Sequence, residues 1–502
     1  MEQFIRKYKD LKAFLKAVRE GSLEEIGQIL DSAADSSRLV NFIRCPLAYS
    51  ANGEVARFLI ARGANVKHVK CVSQKTCRSP LMEILNKRRD YKANSVVEVI
   101  QVLLENGASV NDECGDGKTP LMLAAVRDGN VGVLQLLLDH GAELGEVDEE
   151  GNTALIHAAC EGCFQNVSFL LQFIKNRPDI INLQNVAGLT ALMYAVRFRR
   201  RNLAGIKELI DKGADVNIKD KNGNTVLLHL LFLSDQDEDK IIESLIRARV
   251  DINWQNNYGL SPLMVAAQKY LIDTMLQLVD SGAEINAVSK RDATKTALSH
   301  FLYRVNPVGD YLVHLSFFID RGANTSYMEA TALHRMILLE HLHSLTMLIR
   351  HGLGPASVFV TCKPSASCPL YKVMREYRML PSTCETEITE YFSPFSAALC
   401  VGYDNLARWF VQHLFLTHYD ITSLTHNKLL RQHLERLNDL ECLKIMNEIA
   451  TKPMSLFNLS FVAVSAAVGA GPGRDIRVNE LPLPECIKDR LLFKSFCMPG
   501  QR

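Results

Sequence analysis

A unit of two short helices at residues 116–144 is the sequence feature that most constrains the fold. It reads DGKTPLMLAAVRDGNVGVLQLLLDHGAEL. Thr119 can cap a helix through its hydroxyl, and Pro120 fits the first helical turn. Apolar residues then recur at helical spacing, first up to Gly129 and again up to Gly141. Two such short helices cannot bury their apolar faces alone, so the unit needs neighbouring copies of itself.

Both ends of this unit recur along the chain. The helix start returns as GNTALIHAA at Gly151, GLTALMYAV at Gly188, GNTVLLHLL at Gly223, GLSPLMVAA at Gly259 and ATALHRMI at Ala330. The helix end returns as GANV at Gly63, GASVN at Gly107, GADVN at Gly213, VDIN at Val250, GAEIN at Gly282 and GANT at Gly322. The spacing is about 33 residues, and the sequence resembles the ankyrin-repeat family. The resemblance implies an all-α solenoid of helix pairs with short β-hairpin fingers.

The repeats and their irregularities divide the chain into three predicted parts. Residues 1–425 are expected to form the ankyrin array, with an N-terminal capping unit and irregular units near 290–392, about ten or eleven units in all. Leucines at helical spacing predict capping or linking helices over residues 426–453. Residues 454–497 are expected to form a separate small helical domain.

Composition narrows the class of partners and the compartment. The chain has 57 basic and 56 acidic residues and a net charge of +1, which gives no electrostatic reason to expect nucleic acid or a membrane as partner. The N-terminus lacks the apolar core of a signal peptide, and the apolar run at 461–471 is too short to span a bilayer. Thirteen cysteines, an odd number, suit a reducing compartment. We therefore expect the cytoplasm, with the nucleus as a further location.

Two elements near the C-terminus carry a second resemblance. SLFNLSFVAV runs from Ser455 to Val464 and places Leu456, Ser460 and Val464 on one helical face. LPLPECIKDRLLF follows from Leu481 to Phe493. In this order, behind an ankyrin array, the two elements resemble a SOCS box. The whole chain is similar to the ankyrin-repeat and SOCS-box family.

This resemblance implies partners and a function. It implies that elongin C, with elongin B, binds a helix containing Leu456, Leu459, Ser460 and Val464, and that Leu481, Pro482, Leu483 and Pro484 select cullin-5 with its RING subunit. The chain would then be the substrate-recognition subunit of a ubiquitin ligase, acting in protein ubiquitination and intracellular signalling, with catalysis on the partner subunits. Ser460 stands where the family usually has Cys, and Phe461 where it has Arg. These departures leave open an ankyrin scaffold that recruits no ligase.

A target protein is expected to bind on the ankyrin array. The variable position two residues after the helix-opening leucine faces the groove of such an array, and it is occupied by Leu123, His157, Tyr194, His229 and Val265. The alternative is that several of these side chains pack against the adjacent unit. Trp254 and Tyr258, in the finger sequence WQNNYG, are the aromatic types that dominate interface energetics. The alternative for Trp254 is packing against the neighbouring finger.

The sequence offers no arrangement for catalysis. Cys160 and Cys163 form a lone CxxC motif without a second pair of ligands at metal spacing. HExxH and GxSxG motifs are absent. We therefore expect a non-catalytic adaptor without metal or cofactor.

Overall fold

A computed structural model describes most of the chain as far as residue 451. The described residues are 2–33, 40–41, 46–67, 79–87, 93–127, 129–174, 177–198, 202–233, 239–292, 295–303, 311–323, 336–337, 345, 347–349, 358–361, 389–417, 420–421, 428–437, 439–451 and 462. They fall into two compact units, of which the first comprises Met1–Ser234 with Glu238–Asp251, and the second Asp235–Asp237 with Ile252–Arg502.

The first unit is built from paired helices. In chain order they are α1 Glu2–Glu20, α2 Leu23–Ser32, α3 Gly53–Ala61, α4 Pro80–Lys87, α5 Ala93–Glu105, α6 Pro120–Ala125, α7 Val131–Asp139, α8 Ala154–Cys160, α9 Phe164–Phe173, α10 Pro178–Ile181, α11 Ala191–Arg197, α12 Leu203–Asp211, α13 Val226–Leu233 and α14 Asp239–Arg247. A 3-10 helix, Pro46–Tyr49, precedes α3. The helices α1 and α2 lie on either side of Gly21, which has φ 82°.

Each helix pair packs against the pair of the next repeat. The first helices of the repeats contact one another in the order α4, α6, α8, α11 and α13, and the second helices in the order α3, α5, α7, α9, α12 and α14. Ala124, Ala125, Ala158 and Ala159 are fully buried in the first row, where their small side chains let neighbouring helices approach closely. The apolar face that one repeat cannot cover alone is thus covered by its neighbours.

Local signals in the sequence set where the helices begin and end. The hydroxyls of Thr119, Thr153 and Thr190 each accept the backbone N–H three residues later, as predicted for helix starts. The glycines after the second helices adopt positive φ, for example +88° at Gly141 and +98° at Gly213. In the repeat that ends with VDIN, Arg249 takes this role at φ 61°. A non-glycine residue therefore occupies a left-handed position there.

The predicted β-hairpin fingers are tight turns in which the structure assigns no strand among the described residues. Each turn is closed by a short backbone pair, such as the Asp148 N–H donating to the Asn152 carbonyl at 3.1 Å. Backbone hydrogen bonds also join successive fingers. For example, the Val186 N–H donates to the Glu150 carbonyl at 2.8 Å. These few backbone bonds form no strand, so the strands predicted for these fingers are corrected to turns.

A repeated asparagine joins the repeats at the other end of the helices. The Asn217 Nδ2 donates to the Arg249 carbonyl at 3.1 Å, and its Oδ1 accepts the Asp251 N–H at 2.7 Å. The same two bonds recur at Asn111 and Asn182 in the first unit and at Asn253 in the second. The asparagine in the repeated GADVN-type ending is therefore a clamp onto the loop that ends the following repeat.

The second unit continues the helix-pair pattern and adds a strand pair. Its elements are α15 Pro262–Lys269, α16 Ile272–Asp280, α17 Ala297–Tyr303, α18 Tyr311–Asp320, β1 Val358–Thr361, β2 Thr389–Phe392, α19 Pro394–Val401, α20 Asp404–Gln412, α21 Lys428–Leu437 and α22 Leu440–Thr451. β1 and β2 are antiparallel, with Val358 opposite Phe392. α19 packs on α21, and α20 on α22. The helices predicted after residue 426 thus stack as one more pair, with Leu430, Leu434 and Met446 buried.

In the part of the chain that the structure describes, no helix combines the length and apolar character that crossing a membrane requires.

The asparagine clamp predicts a stability effect. Asn217→Ala removes both hydrogen bonds to the next repeat, so we expect the free energy of unfolding to fall by about 1–2 kcal/mol. Urea unfolding followed by circular dichroism measures the change. Asn222→Ala is the control, since Asn222 is exposed and its side chain makes no hydrogen bond within the described residues. A loss of equal size in both variants would contradict the clamp.

The left-handed backbone of Arg249 predicts that a substitution there stabilises the fold. Arg249→Gly relieves the backbone strain of φ 61°, so we expect the free energy of unfolding to rise by about 0.5–1 kcal/mol. The reciprocal control is Gly213→Arg, at the matching position, where an added Cβ would meet no atom within 4 Å. It should lower stability through backbone strain alone. Stabilisation by Gly213→Arg, or none by Arg249→Gly, would show that φ does not control this turn.

Candidate protein-binding surface

A buried Asp or Asn shapes four of the described fingers. The Asp148 Oδ1 accepts the N–H groups of Glu150 at 3.0 Å and Asn152 at 2.8 Å, which folds the turn around its side chain. Amides two and four residues ahead are bound in the same way by Asn185, Asp220 and Asn256. Gly188 completes one turn at φ 79°, where a Cβ would lie 2.8 Å from the Lys221 nitrogen. The finger tips are therefore preformed.

The same side chains tie the fingers to the first helices of the repeats. The Asp148 Oδ2 lies 2.7 Å from the His157 Nε2, and the Asn185 Nδ2 donates to the Tyr194 hydroxyl at 3.0 Å. In the next repeat the Asp220 Oδ2 lies 3.0 Å from the His229 Nε2. These acidic and amide residues were not predicted from the sequence. Their signal is a fixed spacing of nine residues before the predicted groove position.

The structure divides the predicted groove residues by exposure. Leu123, Val265 and His229 are buried, with 8%, 1% and 7% of their surface exposed. His157 and Tyr194 are half-buried. The three buried side chains therefore pack within the repeats, which was the alternative considered for these positions. Contact with a target protein remains a prediction, and His157 and Tyr194 are the column members that present surface to it.

Burial also shifts the pKa values of two of the predicted groove residues, His229 and Tyr194. Desolvation lowers the pKa of His229, and the Arg197 charge lowers it further, against the opposing effect of Asp220. Desolvation raises the pKa of the Tyr194 hydroxyl. Both rings are therefore neutral near pH 7.

His300 belongs to the same column but was not predicted, because the finger before Thr296 lacks the glycine that marks the other repeats. It follows Thr296 by the spacing that separates Thr153 from His157. Burial lowers the pKa of His300 to about 4, with a further lowering by Lys295. Its buried Nε2 has no hydrogen-bond partner among the described residues. The second unit therefore holds a histidine that resists protonation.

Trp254 and Tyr258, the predicted aromatic hot spots, lie on one finger of the second unit. Tyr258 is 55% exposed, whereas Trp254 is half-buried. Lys290 and Arg291, on the next finger, place their cationic groups 5.3 Å and 5.4 Å from the centres of the Trp254 and Tyr258 rings. Trp254 therefore contacts the neighbouring finger, which was the alternative considered for it. The contacting group is the charged, exposed side chain of Lys290.

The predicted elongin C and cullin residues lie outside the described part of the chain. These are Leu456, Leu459, Ser460 and Val464, and Leu481, Pro482, Leu483 and Pro484. Of the stretch 455–464 the structure describes Val462, which is buried.

No group of three or more His, Cys, Asp or Glu side chains is placed to hold a metal ion in the part of the chain with described geometry. The CxxC pair consists of an exposed Cys160 and a buried Cys163, both free thiols. Burial raises the pKa of the Cys160 thiol, which makes it less nucleophilic near pH 7.

Comparison with known families agrees with this architecture. The family model described as ankyrin repeats matches the chain in three overlapping copies, at residues 91–180, 125–220 and 192–289. The chain thus carries ankyrin repeats over this stretch, which includes most of the fingers and helix rows described above. Ankyrin repeats stack into extended surfaces for other proteins and indicate a scaffold for protein–protein interaction.

Curated relatives match part of the chain. Human neurogenic locus notch homolog protein 1 is 34% identical over 153 residues, which is 30% of this chain and 6% of that protein. The rat nuclear factor NF-kappa-B p105 subunit is 33% identical over 116 residues, or 22% of this chain and 11% of that protein. The chain therefore spans about a tenth or less of these relatives' length. A crystal structure of the ankyrin repeat domain of Bcl-3 has 24% identity and a TM-score of 0.38, covering 44% of this chain and 93% of that one.

His300 predicts a pH dependence of folding. Its folded pKa of about 4 lies below its value of 6.5 in the unfolded chain, so the unfolded state binds more protons between these values. Its contribution to stability is therefore full above about pH 6.5 and is lost as pH falls toward 4. His300→Leu, which places there the residue type of Leu123, should make the fall in unfolding midpoint from about pH 7 to pH 4.5 less steep.

The control for this prediction is His140→Gln in the first unit, where the imidazole is exposed. Urea unfolding across the pH range gives the slope for each variant. An unchanged slope in His300→Leu would contradict the buried neutral state of this histidine.

Proposed function

We propose that this chain is the substrate-recognition subunit of an elongin B/C–cullin-RING ubiquitin ligase. The ankyrin repeats capture a target protein, and the C-terminal segment docks onto elongin C, elongin B and cullin-5 with its RING subunit. Ubiquitin transfer then takes place on the partner subunits. The cytoplasm, and also the nucleus, are the proposed locations.

One observation carries the ligase half of this proposal. The helix-forming sequence SLFNLSFVAV and the LPLP element follow, in that order, after α21 and α22, the last helix pair among the described residues. Leu456, Ser460 and Val464 share one helical face, which is the arrangement that helix-in-groove docking requires. Leu456 is the expected anchor because it is the largest apolar side chain of these three.

The capture half rests on the preformed fingers. Their turns are fixed by buried Asp and Asn side chains before any partner binds, so docking needs little ordering of the chain. Exposed and half-buried aromatic residues, among them Tyr194 and Tyr258, then provide contact area with few rotatable bonds.

A second candidate function is an ankyrin scaffold that holds partner proteins without recruiting a ligase. The observation that favours it is the pair of departures at Ser460 and Phe461. Burial of the Ser460 hydroxyl without a partner would weaken elongin C binding by about 1–3 kcal/mol.

A pulldown with purified elongins B and C and cullin-5 with its RING subunit tests the proposal. The native full-length chain should retain all partners. Leu456→Ala should lose elongins and cullin together, with affinity reduced by about 30-fold or more, because the anchor of the docking helix is removed. Replacing Leu481 and Pro482 by Ala should lose cullin-5 while the elongins stay bound.

Leu440→Ala is the matched control, since Leu440 lies on α22 with 70% of its surface exposed. It should assemble like the native chain. A well-folded native chain that retains no elongin would reject the ligase function in favour of the scaffold.

A further inference from the structure

The two fingers that carry Trp254, Tyr258, Lys290 and Arg291 form a single rigid platform, here called the aromatic–basic surface. Gln255 lies between the fingers with 8% of its surface exposed. Its Nε2 donates to the Val288 carbonyl at 2.7 Å, and its Oε1 accepts the Lys290 N–H at 2.8 Å. One buried amide therefore fixes the second finger against the first.

Close packing at the turn adds to this rigidity. Gly259 has φ 75°, and a Cβ there would lie 3.0 Å from the Arg291 backbone nitrogen and 2.2 Å from the Ser289 Oγ, so the second finger packs closely against this glycine. Asn256 and Ser289 are buried beneath the turn, at 3% and 5% exposure. The backbone that holds the aromatic and basic side chains is thus set in advance.

The side chains on this platform combine two kinds of contact. Each aromatic ring lies beside a cation of the other finger. The Lys290 Nζ is 5.3 Å from the centre of the Trp254 ring, and the Arg291 guanidinium carbon is 5.4 Å from the centre of the Tyr258 ring. Lys290 and Arg291 are exposed, and neither forms an ion pair with a carboxylate of the described residues. Asp292, the acidic residue next along the finger, pairs with Lys295 at 3.6 Å. The surface therefore presents apolar rings beside two positive charges that form no ion pair within the described part of the chain.

We infer that the aromatic–basic surface binds an acidic, extended segment of the target protein, with carboxylates at Lys290 and Arg291 and an apolar side chain against Trp254 and Tyr258. Carboxylates complement the two cations, and the aromatic rings beside these cations offer area for an apolar side chain. The partner is called a target because this inference rests on the proposed receptor function. The binding itself needs neither elongins nor a cullin.

Other partner classes fit this surface less well. A basic segment is repelled by both cations, and a neutral one leaves them unpaired. Nucleic acid requires many phosphate contacts for useful affinity. Lys290 and Arg291 are two cations on a chain whose net charge is +1.

A random dodecapeptide display library panned against the full-length chain, without elongins or cullin, tests the inference. The enriched peptides should combine several Asp or Glu residues with at least one large apolar residue. A synthetic peptide from the enriched pool should bind about tenfold or more weakly to the double variant Lys290→Gln with Arg291→Gln. Raising the salt concentration should weaken binding to the native chain more than binding to the double variant.

Two further variants separate the contacts from effects on folding and total charge. Tyr258→Ala removes an exposed ring and should weaken binding by about tenfold without changing the unfolding midpoint. Lys207→Gln with Lys212→Gln, two exposed residues of the first unit, removes the same charge and should bind like the native chain.

Enrichment of neutral or basic peptides, no enrichment at all, or equal binding by the double variant and the native chain would overturn the inference. Preferential binding of a single-stranded oligonucleotide at the same surface would also overturn it. The elongin pulldown is a separate measurement. Failure of peptide binding with intact elongin assembly rejects the acidic-segment inference alone, and the converse result rejects the ligase function alone.

Discussion

Burial of the helix faces between neighbouring repeats is the constraint on which the rest of this structure depends. A helix of six residues such as α6 is far too short to be stable alone, and its face is covered because α4 and α8 pack on either side of it. Buried alanines keep the helices close, and the asparagine clamps, such as Asn217 onto the loop at Arg249, hold successive repeats in register. Stability is therefore shared between neighbours, and a change in one repeat also acts on the next.

The same stacking leads from fold to binding surface. Because successive repeats are held side by side, their fingers lie next to one another and side chains from distant parts of the sequence become neighbours. A buried Asp or Asn fixes four of the described fingers and, in three repeats of the first unit, also reaches the first helix. His157, Tyr194 and His229 were predicted from the repeat pattern to contact a target protein. Each of them also contacts an Asp or Asn of the finger in its own repeat. The more exposed finger tips offer surface that packing has not already used.

In the proposed function, target capture and ligase docking place different demands on the chain. Capture needs a broad preformed surface, and the repeats provide it through turns whose geometry is fixed before binding. Docking onto elongin C needs a short amphipathic helix with an apolar anchor, and Leu456 with Val464 provides that pattern in the sequence. The two activities involve separate residues, so a change in the Trp254 finger and a change at Leu456 are expected to have independent effects.

The sequence by itself determined the repeat unit, its helix boundaries and the glycine turns, because caps such as Thr119 and turns such as Gly141 depend on residues only a few positions away. It did not determine which groove residues stay exposed. Burial of Leu123 and Val265 depends on side chains of the adjacent repeat, and the orientation of His157 depends on Asp148 in its finger. Arg249 and His300 were missed because the glycine that marks the other repeats is absent from the turn at Arg249 and from the finger before Thr296. Only the tertiary structure brought Lys290 and Arg291 to the rings of Trp254 and Tyr258, since neighbouring fingers meet through packing rather than through local sequence.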